Sequence, residues 1–183
     1  FHQPSVVVID PTTLVTLDRR TLAEGLAEAV KHAAIRDASM LHDLKRLGPE
    51  LSIGFSLDTI ARLPDLIARN VAIKARIVEH DELETQGIRA LLNFGHTIGH
   101  AVESFNAGKL LHGECVALGM IPMSGDNAAA RIKSALEKYG LPSRIGQSAE
   151  ELMPFLKHDK KMASDGIAAV IVDEIGSFRL CRM

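Results

Sequence analysis

The chain has 183 residues, enough for one or two small domains that bury a core. Hydrophobic residues make up 46% and charged residues 24%, with no low-complexity tract, so disorder and collagen-like repeats are excluded as the main architecture. The 21 basic and 23 acidic residues are mixed along the chain and give a net charge of -2, and aromatic residues are only 4%. This balance argues against a nucleic-acid surface, which needs a basic face or stacking aromatics.

The two cysteines, Cys115 and Cys181, lie far apart in sequence and form no CxxC pair. This usage favours a reducing compartment and predicts a cytoplasmic protein. The longest apolar stretches, such as residues 116–123, are far shorter than the roughly 18 residues that span a bilayer, and no signal peptide precedes them. We therefore expect no membrane contact.

The first predicted element is a strand. Residues 5–10 form a β-branched run that is typical of a buried strand, and no partner strand follows nearby. A single strand is not stable alone. We therefore expect its partners upstream of Phe1 and, because no initiating Met is present, interpret the chain as a piece of a longer protein.

Helical periodicity begins after this strand. Thr21 and Glu24 are spaced as a capping box, which predicts a helix to about residue 35. A second helix is expected from Asp37 and should stop at Gly48-Pro49.

The rest of the chain is also predicted to be mainly helical. Asp58 begins a third helix that tolerates Pro64 in its first turns and ends near residues 81–82. Further helices are expected over residues 91–105, 113–133 with a bend or break at Pro122, 134–139 and 149–156.

The chain closes on a hairpin pattern, with strands at residues 167–172 and 177–180 separated by a short polar turn. The predicted fold class is therefore mainly α, with an N-terminal strand and a small C-terminal β-hairpin.

A polar stripe marks the predicted helix at residues 91–105. Arg89, Asn93, His96 and His100 are spaced by four, three and four residues, which places them on one face if the helix extends that far. A solvated helix face is the plainer interpretation. Glycines accompany both histidines, however, and a glycine costs a helix about 1 kcal/mol, so we expect a close neighbour there.

The histidines allow two metal-binding arrangements. His96 and His100 are spaced i, i+4, as in zinc proteases, although the intervening Glu of HExxH is absent. Alternatively, Glu28 and His112 join His96 to give the mixed three-ligand set that a catalytic zinc needs. Each residue also has a plainer interpretation, because Glu28 can pair with Lys31 on its own helix and His112 can be a surface histidine.

Several cations can surround an anionic substrate. Lys74 is predicted on the apolar face of its helix, where it either serves a site or extends its ammonium to water. The other candidates are Lys31, Arg89, Lys160 and Lys161. No glycine-rich dinucleotide loop is present, so no cofactor-binding residue is predicted in this chain.

Four segments together resemble 3-dehydroquinate synthases. They are Gly25–Lys31, Leu91–Ala101, His112–Ala117 and Asp159–Lys161, and the GHTxGHA stretch followed by HGE is the most specific part. The resemblance covers the chain from Phe1 to the final hairpin.

This resemblance implies an enzyme that uses NAD and zinc (or cobalt). It would convert 3-deoxy-D-arabino-heptulosonate 7-phosphate to 3-dehydroquinate with loss of phosphate, in the shikimate pathway of aromatic amino-acid synthesis. Residues 1–18 would be a strand and linker belonging to an N-terminal NAD-binding domain, and residues 19–183 the helical domain that binds metal and substrate. The full-length protein is expected to be a homodimer.

By position, the resemblance assigns Glu28, His96 and His112 as metal ligands, His100 to proton transfer and Glu84 as a second acid or base. The segment between Lys74 and Arg89 is one residue longer than in the family pattern. Glu84 lies within this segment, so its assignment has less support than the others. The implied substrate contacts are Lys31, Lys74, Arg89, Asn93 and one of Lys160 and Lys161.

Three alternatives remain at this stage. Another sugar-phosphate cyclase would share the fold, but Lys74, Arg89 and Asn93 as a set argue for a substrate that bears a carboxylate. A polyol dehydrogenase would have no use for these cations. An inactive helical scaffold would have lost its metal.

Overall fold

The computed structural model describes residues 2, 4–51, 57–83, 85, 87–158 and 168–182. These residues form eight α-helices, two 3₁₀-helices and a two-stranded sheet, so the mainly helical class is confirmed. The α-helices are α1 Arg19–Arg36, α2 Ala38–Leu51, α3 Leu57–Ile60, α4 Pro64–His80, α5 His96–Asn106, α6 His112–Met120, α7 Asp126–Lys138 and α8 Ala149–His158. The 3₁₀-helices cover Pro11–Thr16 and Ile88–Asn93, and strands β1 and β2 cover Ala168–Ile171 and Arg179–Arg182.

Helix α1 lies at the centre of the fold. Helices α2, α4, α6 and α7 pack against it, and its many alanines allow their close approach. The helix begins after Asp18, whose carboxylate accepts hydrogen bonds from the backbone N–H groups of Arg20 and Thr21. The predicted cap at Thr21 is therefore wrong, because an aspartate three residues earlier satisfies the first N–H groups.

Helix α2 continues past its predicted end. Gly48 and Pro49 lie inside it, and the helix reaches Leu51. A Cβ atom at Gly48 would lie 2.6 Å from Cβ of Lys138 on α7, so this glycine permits a close helix contact rather than ending the helix. The predicted stop at this dipeptide is wrong because packing overrides the local signal.

The predicted helix from Asp58 is divided in two by Pro64. Helix α3 ends at Ile60, and Pro64 is the first residue of α4, where its missing N–H has no consequence. The position of Lys74 on α4 also differs from the prediction, because Lys74 is exposed whereas Ile77 is buried. Lys74 is therefore not on the apolar face.

The predicted helix over residues 91–105 is interrupted as well. Arg89 and Asn93 belong to the second 3₁₀-helix, and α5 begins only at His96. Between them Gly95 has φ +77°, a left-handed conformation that favours glycine. The four residues of the polar stripe thus do not share one helix.

The second half of the chain follows the prediction more closely. The break at Pro122 is confirmed, because α6 ends at Met120 and α7 begins at Asp126. Residues 134–138 continue α7 instead of forming a helix of their own, and α8 extends two residues beyond its predicted end. The hairpin is confirmed as an antiparallel pair with Ala168 opposite Arg182.

The N-terminal strand is not formed in the described part of the chain. Residues 5–10 have no regular structure, and Val6 and Val8 are 75% and 87% exposed. A strand requires a partner, and no described strand lies beside these residues, so the strand expected here stays a prediction. No helix in the described ranges combines the length and apolar character of a membrane span.

Candidate metal and substrate site

An ion pair between a buried lysine and a half-buried glutamate of α1 lies at the centre of the candidate site. Lys31 Nζ donates to Glu28 Oε2 at 2.6 Å and to the carbonyl oxygen of Leu92 at 2.9 Å. The Lys31 side chain is only 3% exposed, and burial lowers its pKa while Glu28 opposes this shift. The contact is therefore more than a pair of charges on one helix, because the buried Lys31 also links α1 to the second 3₁₀-helix.

Glu28 keeps one oxygen without a hydrogen bond. Its Oε1 is buried and accepts none from any described residue, and His96 Nε2 lies 3.8 Å away. Burial is the largest influence on the pKa of Glu28 and favours the neutral acid, but the charge and the hydrogen bond of Lys31 oppose it, and the pKa of Glu28 is lowered. A buried, ionised oxygen that lacks a donor calls for a cation.

His96 is prepared to bind a cation. Its Nδ1 lies 3.1 Å from the carbonyl oxygen of Phe94, which accepts the Nδ1–H and leaves the lone pair on Nε2. Burial, reinforced by Lys31, lowers the pKa of His96 to about 4. The imidazole is therefore neutral at neutral pH, which is the form that coordinates metals.

Three imidazoles meet beside Glu28. The ring centroids of His96 lie 5.2 Å from His112 and 5.3 Å from His100. Glu28, His96 and His112 each offer a ligand atom within 4.8 Å of the other two. Donors bound to one tetrahedral zinc lie roughly 3.4 Å apart, since zinc–ligand bonds are about 2.0–2.1 Å, so the three side chains would have to move closer together to bind one ion.

A second set of ligand atoms shares one of these histidines. His100, Glu103 and His112 also lie within 4.8 Å of one another. This set was not predicted, and no group of three ligand residues in the described part of the chain contains both His96 and His100, the pair that the i, i+4 spacing suggested.

Glycines set the distance between α5 and α6. A Cβ atom on Gly119 would lie 1.9 Å from the carbonyl oxygen of Gly95, and one on Gly99 would lie 2.9 Å from that of Cys115. Both distances are shorter than any normal contact, so neither position accepts a side chain. The close approach predicted from the glycines beside the histidines is confirmed, and it is what brings His112 to His96.

Two contacts that the sequence did not predict fix the start of α6. Glu24 Oε2 accepts from the N–H of Gly113 at 2.9 Å, so Glu24 caps α6 rather than its own helix. Arg20 donates from Nε and Nη2 to the two oxygens of Glu114, each at 2.7 Å. These contacts hold His112 in place, and no local pattern reveals them because they join residues about 90 positions apart.

A cleft of about 580 Å³ opens beside the ion pair of Glu28 and Lys31. Six predicted residues line it, from α1, α4, the second 3₁₀-helix and α5: Glu28, Lys31, Lys74, Arg89, Asn93 and His96. The Lys74 side chain is exposed, which gives its ammonium access to this cleft. Three of the predicted cations therefore face one cavity, as an anionic substrate requires.

Two buried residues that line the cleft are not among the residues predicted from the sequence. His32 follows Lys31 on α1, and its Nδ1 is hydrogen-bonded to the side-chain oxygen of Asn70; burial lowers its pKa. Asp81, at the end of α4, accepts from the backbone N–H of Arg89 at 3.1 Å and so fixes the first turn of the 3₁₀-helix.

Three predicted residues cannot be placed. Glu84, Lys160 and Lys161 lie outside the described residues.

The fold matches those of two solved structures. A 2-epi-5-epi-valiolone synthase from Streptomyces hygroscopicus subsp. jinggangensis, solved with NAD+ and Zn2+, matches with a TM-score of 0.81 over 95% of this chain and 50% of that one, at 24% identity. A 2-deoxy-scyllo-inosose synthase, solved with carbaglucose-6-phosphate, NAD+ and Co2+, matches with a TM-score of 0.71 over 95% and 52%, at 20% identity.

The chain belongs to the 3-dehydroquinate synthase family, because the C-terminal profile of that family matches residues 25–162. The 3-dehydroquinate synthase of Lactiplantibacillus plantarum is 40% identical in an alignment of 186 positions, which covers 96% of this chain and 50% of the relative. That of Symbiobacterium thermophilum is 42% identical over 177 residues, covering 90% and 48%. The chain thus spans about half the length of these curated relatives.

Proposed function

We propose that this chain is the metal- and substrate-binding half of a 3-dehydroquinate synthase. The whole enzyme would convert 3-deoxy-D-arabino-heptulosonate 7-phosphate to 3-dehydroquinate and phosphate. Residues 1–18 would lead from an NAD-binding half, and residues 19–183 would form the half that holds metal and substrate. The observation that carries the proposal is the convergence of Glu28, His96 and His112 beside a cleft with three cations.

The donor set fits a divalent metal. One carboxylate and two neutral imidazoles are typical ligands of a catalytic zinc and leave a position open for substrate. The orphaned, buried Oε1 of Glu28 supports this fit, because an ion there would supply the partner it lacks. When bound, zinc or cobalt would polarise the substrate hydroxyls, and NAD, held chiefly by the other half, would supply reversible oxidation.

The cations would bind the substrate through its charged groups. Lys31, Lys74 and Arg89 suit carboxylate and phosphate oxygens, and Arg89 can form two parallel hydrogen bonds to one such group. Asn93 would add a neutral donor from the same 3₁₀-helix. We also assign Lys160 or Lys161 to the substrate, although both lie outside the described residues.

Proton transfer is assigned to His100. Its ring lies 5.3 Å from His96 and 5.9 Å from His112, close to where substrate would meet the metal. Imidazole is the side chain that most often moves protons in enzymes. Glu84 is proposed as a second acid or base.

A second candidate is another sugar-phosphate cyclase, which the structural likeness to the valiolone and inosose synthases favours.

The test that separates the two candidates uses the full-length enzyme with NAD and zinc. We expect phosphate release from the heptulosonate phosphate, and none from a sugar phosphate of similar size that lacks a carboxylate. Turnover of only the second substrate would establish the alternative. The 183-residue chain alone should turn over neither.

A further inference from the structure

Glu103 lies beside the candidate metal site without belonging to the ligand set assigned above. It projects from α5, and its Oε2 is 3.1 Å from Nδ1 of His112 at the start of α6. The two side chains are 37% and 44% exposed. We propose that Glu103 is a positioning residue, whose carboxylate accepts the Nδ1–H of His112 and so holds the ring in the tautomer that presents Nε2 to the metal. This inference rests on the proposed function.

The chemistry of the imidazole supports this role. A neutral ring carries one N–H, so a hydrogen bond from Nδ1 leaves the lone pair on Nε2. A carboxylate acceptor also makes the ring a stronger donor to a metal. His96 has the same arrangement, with the Phe94 carbonyl oxygen as the acceptor at Nδ1. Both proposed histidine ligands therefore have Nδ1 held by an oxygen.

A competing role for Glu103 is that of a ligand, together with His100 and His112. Two observations favour positioning. Glu28 Oε1 is buried and accepts no hydrogen bond within the described ranges, whereas the Glu103 carboxylate is reached by water and already has a partner. A bound cation would therefore stabilise the Glu28 carboxylate more than the Glu103 carboxylate.

The experiment measures Zn2+ affinity of the metal-free 183-residue chain by competition with a chromophoric chelator. Glu103→Ala should weaken binding about 10–100-fold, because it removes the outer-shell acceptor. Glu103→Gln should recover most of this loss, since an amide oxygen accepts the same N–H. Both variants should melt at the wild-type temperature without metal, because an exposed pair adds little stability.

The matched control is Glu137→Ala. It removes a carboxylate that is also exposed and paired, with Lys133 at 3.8 Å, but on α7. Its Zn2+ affinity should equal that of the wild type.

The outcomes separate this inference from the proposed function. A wild-type chain that binds no Zn2+ would overturn both. Wild-type affinity in Glu103→Ala would overturn the role of Glu103 alone and leave the metal site standing. A Glu103→Gln variant as weak as Glu103→Ala, or a second bound Zn2+ that both variants lose, would show that Glu103 is a ligand and would also overturn positioning.

Discussion

Replacing Gly119 with alanine should disrupt both the fold and the metal site. The new Cβ would lie 1.9 Å from the carbonyl oxygen of Gly95 and 2.7 Å from the backbone nitrogen of Gly99, whereas real Cβ atoms stay at least 3.0 Å from such neighbours. Helices α5 and α6 would have to separate by about 1.1 Å, because rigid backbone atoms lie on both sides.

This displacement is large both for the packing of a protein core and for the ligand distances of a metal site. Overpacking of a core costs about 1–3 kcal/mol, and a backbone clash belongs at the upper end, which corresponds to a fall of about 5–10 °C in the melting temperature. Metal sites tolerate only about 0.2 Å in ligand distance, so a shift of this size between His96 on α5 and His112 on α6 should also weaken Zn2+ binding.

The assay combines thermal unfolding of the metal-free chain with a Zn2+ titration. Gly25→Ala is the matched control, because Gly25 lies within α1 and a Cβ atom added there would have no described neighbour within 4 Å. That change should stabilise the fold by about 0.5–1 kcal/mol. If Gly119→Ala instead melts and binds Zn2+ like the wild type, the tight glycine contact does not position the histidines.

Two further variants test the supports of the site. Arg20 holds the pKa of Glu114 below its ordinary value, so the pair stabilises the fold above the free glutamate pKa of about 4.3 and less as pH falls through the lower folded-state pKa. Glu114→Gln should therefore lower the urea concentration at the unfolding midpoint at neutral pH, and this difference should shrink in acid; an equal difference at both pH values would refute this. In the full-length enzyme, His100→Ala should keep its metal and lose about 10²–10⁴-fold in turnover, whereas His96→Ala should lose both; metal loss from the His100 variant would make it a ligand.

The sequence was informative wherever a signal is local. The periodicity of α1, the break at Pro122 and the closing hairpin each depend on neighbouring residues, and the structure agrees with all three. Where contacts between distant helices determine the end of a helix, the local sequence pattern predicts the wrong end. Gly48 was interpreted as a stop, but it is a contact point for α7.

The candidate site shows the same contrast between residues that local patterns reveal and residues that act through distant contacts. Glu28, His96 and His112 could be named from residue type, glycine context and family resemblance. Glu24 could not, because its role is to cap a helix 89 residues away. Lys74 was predicted at the cleft for the wrong reason, since it is exposed rather than on the apolar face of α4.

The most direct test of the account is the metal content of the chain after chelation and reloading with Zn2+. If Glu28, His96 and His112 hold one ion, the wild type and His100→Ala should each retain one zinc per chain. Glu28→Ala and His112→Ala should retain almost none, because two protein ligands hold zinc poorly. Stoichiometric, tightly bound zinc in both of these variants, or its loss from His100→Ala, would contradict the proposed ligand set.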